Sequence, residues 1–120
     1  MIKKYEITGV HMEIGDDLHK YVAKKLAKLD IYIPRHARAS AHLQVKLKEG
    51  RAKDKNQRTC EVILALPHET IAISESTVNI YAAIDIVEEK LKAALHKYKE
   101  LHASPRLRQR LMLRLKRSAV

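Results

Sequence analysis

Apolar residues at Ile80, Ile84, Val87, Leu91, Leu95, Tyr98 and Leu101 recur at steps of three and four through a stretch without Gly or Pro. That spacing predicts one long helix, capped at Ser76 or Thr77 and running to about His102. At 1.5 Å per residue such a helix would be roughly 40 Å long, enough to span a small domain. Leu18, Val22, Leu26 and Leu29 repeat the pattern, opened by Asp16 and Asp17, and predict a shorter helix ending near Asp30. Elsewhere the period changes to two. Tyr5 and Ile7 alternate within residues 4–8; Ala41, Leu43, Val45 and Leu47 within 39–48; Cys60, Val62 and Leu64 within 58–66; Ile71 and Ile73 within 70–74. These are predicted strands with one wet face. Residues 49–57 are polar around Gly50 and predict a mobile hairpin loop, 67–69 a turn, and 31–36 a connection, since Pro34 disfavours helix at the residue before it.

The predicted order is β-α-β-β-β-α. A strand, helix and strand in one sheet normally form a right-handed crossover between parallel neighbours, and the two short links form antiparallel hairpins. An α+β fold follows: a four-stranded mixed sheet with both helices packed on one face and the opposite face open. Its α-β-β-β-α core is like that of double-stranded RNA-binding domains, which read the shape of A-form helices.

The 120 residues, 46% hydrophobic, suffice for one core. No apolar run approaches the roughly 20 residues of a membrane span, and the N-terminus lacks the apolar core of a signal peptide, so a cytoplasmic protein with no membrane partner is expected. Cys60 sits in an apolar run and reads as a small buried hydrophobe.

Charge changes the picture. The net charge is +10, but residues 104–120 hold six of the 24 bases and no acid, leaving 18 bases against 14 acids elsewhere. The expected division is a domain over 1–103 and a basic tail over 104–120. Leu107, Leu111 and Leu115 in that tail are spaced by four among Arg106, Arg108 and Arg110, so it is expected to be flexible when free or helical on a partner. A chain this cationic points to a polyanion, RNA or DNA first.

Enzymatic arrangements are missing. Three glycines cannot build a phosphate-binding loop, one cysteine cannot build a thiolate cluster, and the seven histidines include no i, i+4 pair. Neither catalysis, nor a metal, nor a cofactor is expected. A binding surface remains. Lys24, Lys25 and Lys28 of the first helix and Lys90, Lys92, Lys97 and Lys99 of the last would merge into one basic patch if the helices pack side by side. With no Trp or Phe and 4% aromatic content, contact with backbone and shape is expected rather than base stacking.

The run Ile7-Thr8-Gly9-Val10-His11-Met12-Glu13-Ile14, then Leu18, Tyr21-Val22, Lys25-Leu26 and Lys28-Leu29, resembles the opening of the ribosome hibernation-promoting factor and ribosome-associated inhibitor family. Asn79-Ile80-Tyr81-Ala82-Ala83-Ile84-Asp85, followed by Lys90-Leu91, Leu95 and Lys97, resembles its second signature, although the family usually has an acid where this chain has Asn79. The resemblance covers about Ile7 to Lys99 and is closer to the short-form branch. It implies that the domain over 1–103 is ribosome-binding: a non-enzymatic stress or stationary-phase factor on the small ribosomal subunit and its rRNA. There it would block the channel of mRNA and of A- and P-site tRNA, inhibit translation, and promote hibernation and ribosome dimers. Lys25, Lys28, Lys90 and Lys97 would then contact rRNA phosphates, and Tyr81 and Asp85 match the signature. The free protein is expected to be monomeric. A general double-stranded RNA-binding module or RNA chaperone is the alternative.

Overall fold

In the computed structural model, residues 2, 4–52 and 55–102 are described. The expected tail, with Arg106, Arg108 and Arg110, lies outside them. The chain forms β1 (Lys4–Val10), α1 (Asp16–Leu26), a 3-10 turn (Ala27–Tyr32), α2 (Arg35–Arg38), β2 (His42–Ala52), β3 (Lys55–Leu66), β4 (Glu69–Thr77) and α3 (Ile80–His102). The sheet order is β1-β2-β3-β4. β1 pairs parallel to β2 with Tyr5 opposite Leu43 and Ile7 opposite Val45, while β2–β3 and β3–β4 are antiparallel. This is the expected α+β arrangement.

One face of the sheet is apolar because every second residue is. Leu43, Val45 and Leu47 of β2, Cys60, Val62 and Leu64 of β3 and Ile71 of β4 are buried there. Leu18, Val22 and Leu26 of α1 and Ile84, Val87, Leu91 and Leu95 of α3 close over them. Each such side chain, fully buried, contributes about 1.5–3 kcal/mol against exposure.

The boundaries differ from expectation in four places, each with a local cause. The first helix is α-helical only to Leu26 and then tightens into the 3-10 turn, carrying Lys28 with it. Arg35–Arg38 forms a short helix behind Pro34 instead of an open connection. The expected hairpin loop over 49–57 is largely strand, with Glu49 opposite Arg58 and Ala52 opposite Lys55, and an ion pair joins Glu49 and Arg58 at 3.1 Å. Finally, Ser76 and Thr77 belong to β4, and the cap of α3 is Asn79, whose Oδ1 accepts the Tyr81 N–H at 2.9 Å. Thr77 supports it from outside by accepting the Asn79 N–H on its Oγ1 at 3.0 Å.

α1 and α3 run parallel to each other. Tyr21 meets Asp85, Lys25 meets Asp85 and Glu88, and Tyr32 meets Lys92 and His96, so both sequences advance together along the contact. Both helices return antiparallel to β1 and β2, and their C-terminal ends lie where those strands begin. There the Ile2 N–H donates to Ala27 O at 2.8 Å, and the Tyr98 hydroxyl donates to Pro67 O at 2.6 Å.

Candidate nucleic-acid interface

The seam between α1 and α3 is built from residues that repeat every three or four positions. On α3 these are Tyr81, Asp85, Glu88, Lys92 and His96; on α1 they are Tyr21 and Lys25, with Tyr32 continuing from the 3-10 turn. The Tyr21 hydroxyl donates to Asp85 Oδ1 at 2.5 Å, and its ring meets Tyr81 edge-on, centroids 4.9 Å apart at 80°. Hydrogen bonding to the Asp85 carboxylate, then burial, pushes the Tyr21 phenol up to about 12. Lys25 Nζ lies 3.7 Å from Asp85, 3.9 Å from Glu88 and 5.6 Å from the Tyr21 ring centroid. Tyr81 and Asp85, expected from the signature pattern, therefore meet in one latch between the helices. Tyr21, the third member, stands in the first family-like motif but was given no site role by sequence reasoning, since its partners come from the last helix.

The lysines of the last helix do not share one surface. Residues two apart on a helix point about 200° apart, so Lys90 and Lys97 lie on one flank and Lys92 and Lys99 on the other. Lys90 pairs with Glu75 of β4, which fixes the first flank against the sheet edge. Lys92 approaches Tyr32, 6.0 Å from its centroid, which fixes the second against the seam. Lys24 of α1 and Lys28 of the turn after it are both exposed. The seam side therefore holds Lys25 and Lys92, with Lys99 on the same flank of α3 as Lys92, while Lys24 and Lys28 are exposed on α1 and the turn after it, and the β4 flank holds Lys90 and Lys97.

Nor are the seven equally available. Lys25 is held by Asp85 and Glu88, Lys90 by Glu75, and Lys92 by Glu89 at 3.7 Å. Lys24, Lys28, Lys97 and Lys99 have no ion pair among the described residues. A phosphate met by an unpaired ammonium displaces only water and counterions, whereas at Lys25 or Lys90 it must also displace a carboxylate.

The open sheet face carries mixed charge, with Lys48 Nζ 2.8 Å from Glu61 and that contact holding the Glu61 carboxyl below its ordinary value. Cys60 is fully buried on the opposite face, and burial pushes its thiol up to about 12, far from a nucleophilic thiolate. Among the described residues no group of three or more His, Cys, Asp or Glu is placed to hold a metal ion, and no helix is long and apolar enough to cross a membrane.

Known proteins resemble this chain in sequence and in fold. Two ribosome hibernation promotion factors align with the chain. That of Lactococcus lactis subsp. cremoris (strain MG1363) is 33% identical over 105 residues, 86% of this chain and 54% of the relative. That of Staphylococcus aureus (strain COL) is 31% identical over 96 residues, 80% of this chain and 48% of the relative. The chain thus spans about half the length of these relatives. Among solved structures, the N-terminal domain of Protein Y from Thermus thermophilus superposes with a TM-score of 0.61 at 28% identity, covering 79% of this chain and 97% of that one. A ribosomal subunit interface protein from Coxiella burnetii shares the fold with a TM-score of 0.65 at 22% identity, covering 80% of this chain and 97% of that one. Residues 5–102, almost the whole described fold, match the profile of the Sigma 54 modulation protein / S30EA ribosomal protein family, and the chain belongs to that family.

Proposed function

We propose that this protein is a non-enzymatic, cytoplasmic translation regulator that binds the small ribosomal subunit at the channel of mRNA and of A- and P-site tRNA. It inhibits translation there and promotes ribosome hibernation and dimerisation under stress or in stationary phase. The observation that carries this reading is the parallel packing of α1 and α3 in a chain of the S30EA family, which brings Lys25 and Lys92 to one seam with Lys99 on the same flank of α3 and leaves Lys24 and Lys28 exposed on the neighbouring α1 and turn. A row of ammonium groups on a rigid two-helix surface matches a phosphate backbone and reads shape more than base identity. Lys28 and Lys99, exposed and without an ion pair among the described residues, make the leading contacts. Lys24 supports them, Lys25 and Lys92 join after exchanging carboxylate for phosphate, and Lys97 and Lys90 extend the grip on the other flank. Arg106, Arg108 and Arg110 add charge that strengthens attachment at low salt. The free protein is monomeric.

Co-sedimentation with purified small subunits tests the reading. The wild-type chain should pellet with them, the Lys28→Glu/Lys99→Glu variant should not, and thermal unfolding of the variant should match wild type. Undiminished co-sedimentation of that folded variant rules the seam out as the contact surface. Sucrose-gradient profiles of ribosomes with and without the protein then separate dimerisation from blockage of single ribosomes.

The shared α-β-β-β-α topology favours one alternative, a general double-stranded RNA-binding module or RNA chaperone. Competition decides: a modest excess of free duplex RNA strips a general binder from subunits and leaves a ribosome-specific one in place.

A further inference from the structure

A second cationic feature lies at the foot of the sheet, outside the seam. Where β1 and β2 begin, an open cleft of about 490 Å³ is walled by Ile2, Lys4, Asp30, Arg35, Arg38 and Ala41. Three of these side chains are cationic and one is anionic. Asp30 is already engaged within the protein, whereas Lys4, Arg35 and Arg38 have no ion pair among the described residues.

Arg38 is held in place before any ligand arrives. Its Nε donates to Ile33 O at 2.9 Å, and Nη2 reaches Ile31 O at 3.4 Å. Those two bonds orient the planar guanidinium and leave its other N–H donors for a ligand. A guanidinium anchored in this way loses little further freedom when it meets an oxyanion, and its fork suits the paired oxygens of a phosphate. Lys4 and Arg35, both exposed, supply two further charges beside it.

The cleft adjoins the seam through three residues. Tyr32 reaches α3, its ring 5.5 Å from that of His96, while the carbonyls of its neighbours Ile31 and Ile33 hold Arg38. The segment 31–33 is thus a wall with α3 on one side and the cleft on the other. We propose that the cleft formed by Lys4, Arg35 and Arg38 is a second phosphate-docking point for RNA. A backbone lying along the helix seam is gripped again at the foot of the sheet. This rests on the ribosome-binding reading above and adds a site formed by residues other than the helix lysines.

The test leaves Arg38 intact, because it ties down two carbonyls, and uses Lys4→Ala/Arg35→Ala in the full chain. Binding to purified small subunits is measured across a range of KCl, with thermal unfolding as the control for folding. Each lost phosphate contact removes about 0.7–0.9 from the slope of log affinity against log salt, so the double variant should be shallower by about 1.5. An unchanged slope, with the wild type binding normally, overturns the cleft alone; failure of the wild type to bind overturns both readings. A photoreactive azidophenylalanine in place of Ala39, an exposed residue of the cleft wall, identifies what lies over the cleft. Cross-links to rRNA are expected, and cross-links confined to ribosomal protein overturn the phosphate assignment in favour of an acidic protein surface.

Discussion

Gly9 is required by space more than by backbone conformation. A Cβ added there would stand 2.3 Å from Met12 O, because the bend between β1 and α1 folds directly back over the strand. Gly9→Ala must push that bend away, at a cost of about 1–3 kcal/mol read as a lower urea midpoint. Tyr21 makes a different residue-scale prediction. Its hydroxyl stabilises the latch while protonated, so the contribution is whole below its ordinary value of 10.0 and is lost as pH rises through about 12. Asp85→Ala removes the acceptor that chiefly raises it, and titration of phenolate absorbance should then find Tyr21 ionising near the ordinary tyrosine value. Neither environment was legible in the sequence: Tyr21 and Asp85 lie 64 positions apart and meet only after the helices dock. A glycine near the end of a strand likewise does not announce the carbonyl above it.

Whole elements were more readable than their ends. Period-two and period-3.6 patterns located four strands and two helices because each element buries a single face. The ends went astray where several residues compete for one role. Ser76, Thr77 and Asn79 can all cap a helix, and β4 takes the first two by pairing Ser76 with Thr59 and Thr77 with Arg58. Asn79→Ala should therefore cost about 1 kcal/mol in thermal or urea unfolding, whereas Asn79→Asp, which keeps the acceptor, should cost little. The β2–β3 ribbon misled for the opposite reason: polar residues suggested a loop, yet backbone pairing continues through them to Ala52 and Lys55. The ion pair between Glu49 and Arg58 closes that ribbon near its base.

The charge pattern acquires meaning only in the assembled molecule. The split of the α3 lysines between two flanks was implicit in their spacing of two. Which ammonium groups are already paired was not, because Glu75 reaches Lys90 from another element and Asp85 and Glu88 reach Lys25 across the helix seam. The two flanks should consequently differ in binding. Lys28→Glu/Lys99→Glu should weaken attachment to small subunits and flatten its salt dependence more than Lys90→Glu/Lys97→Glu, since the second pair includes one ammonium already spent on a carboxylate. Equal losses from the two double variants, measured by sedimentation across a salt series, would show that both flanks touch RNA to the same extent.

Because the helices run together and return to where β1 and β2 start, Ile2 and the final turn of α3 leave the body at the same pole, beside Lys99 and the arginines of α2. A fluorophore or fusion partner joined ahead of Ile2 would crowd the very surface under test. A reporter is better placed at the far pole, in the bend that leads from His11 to Gly15, where it can follow attachment without standing in its way.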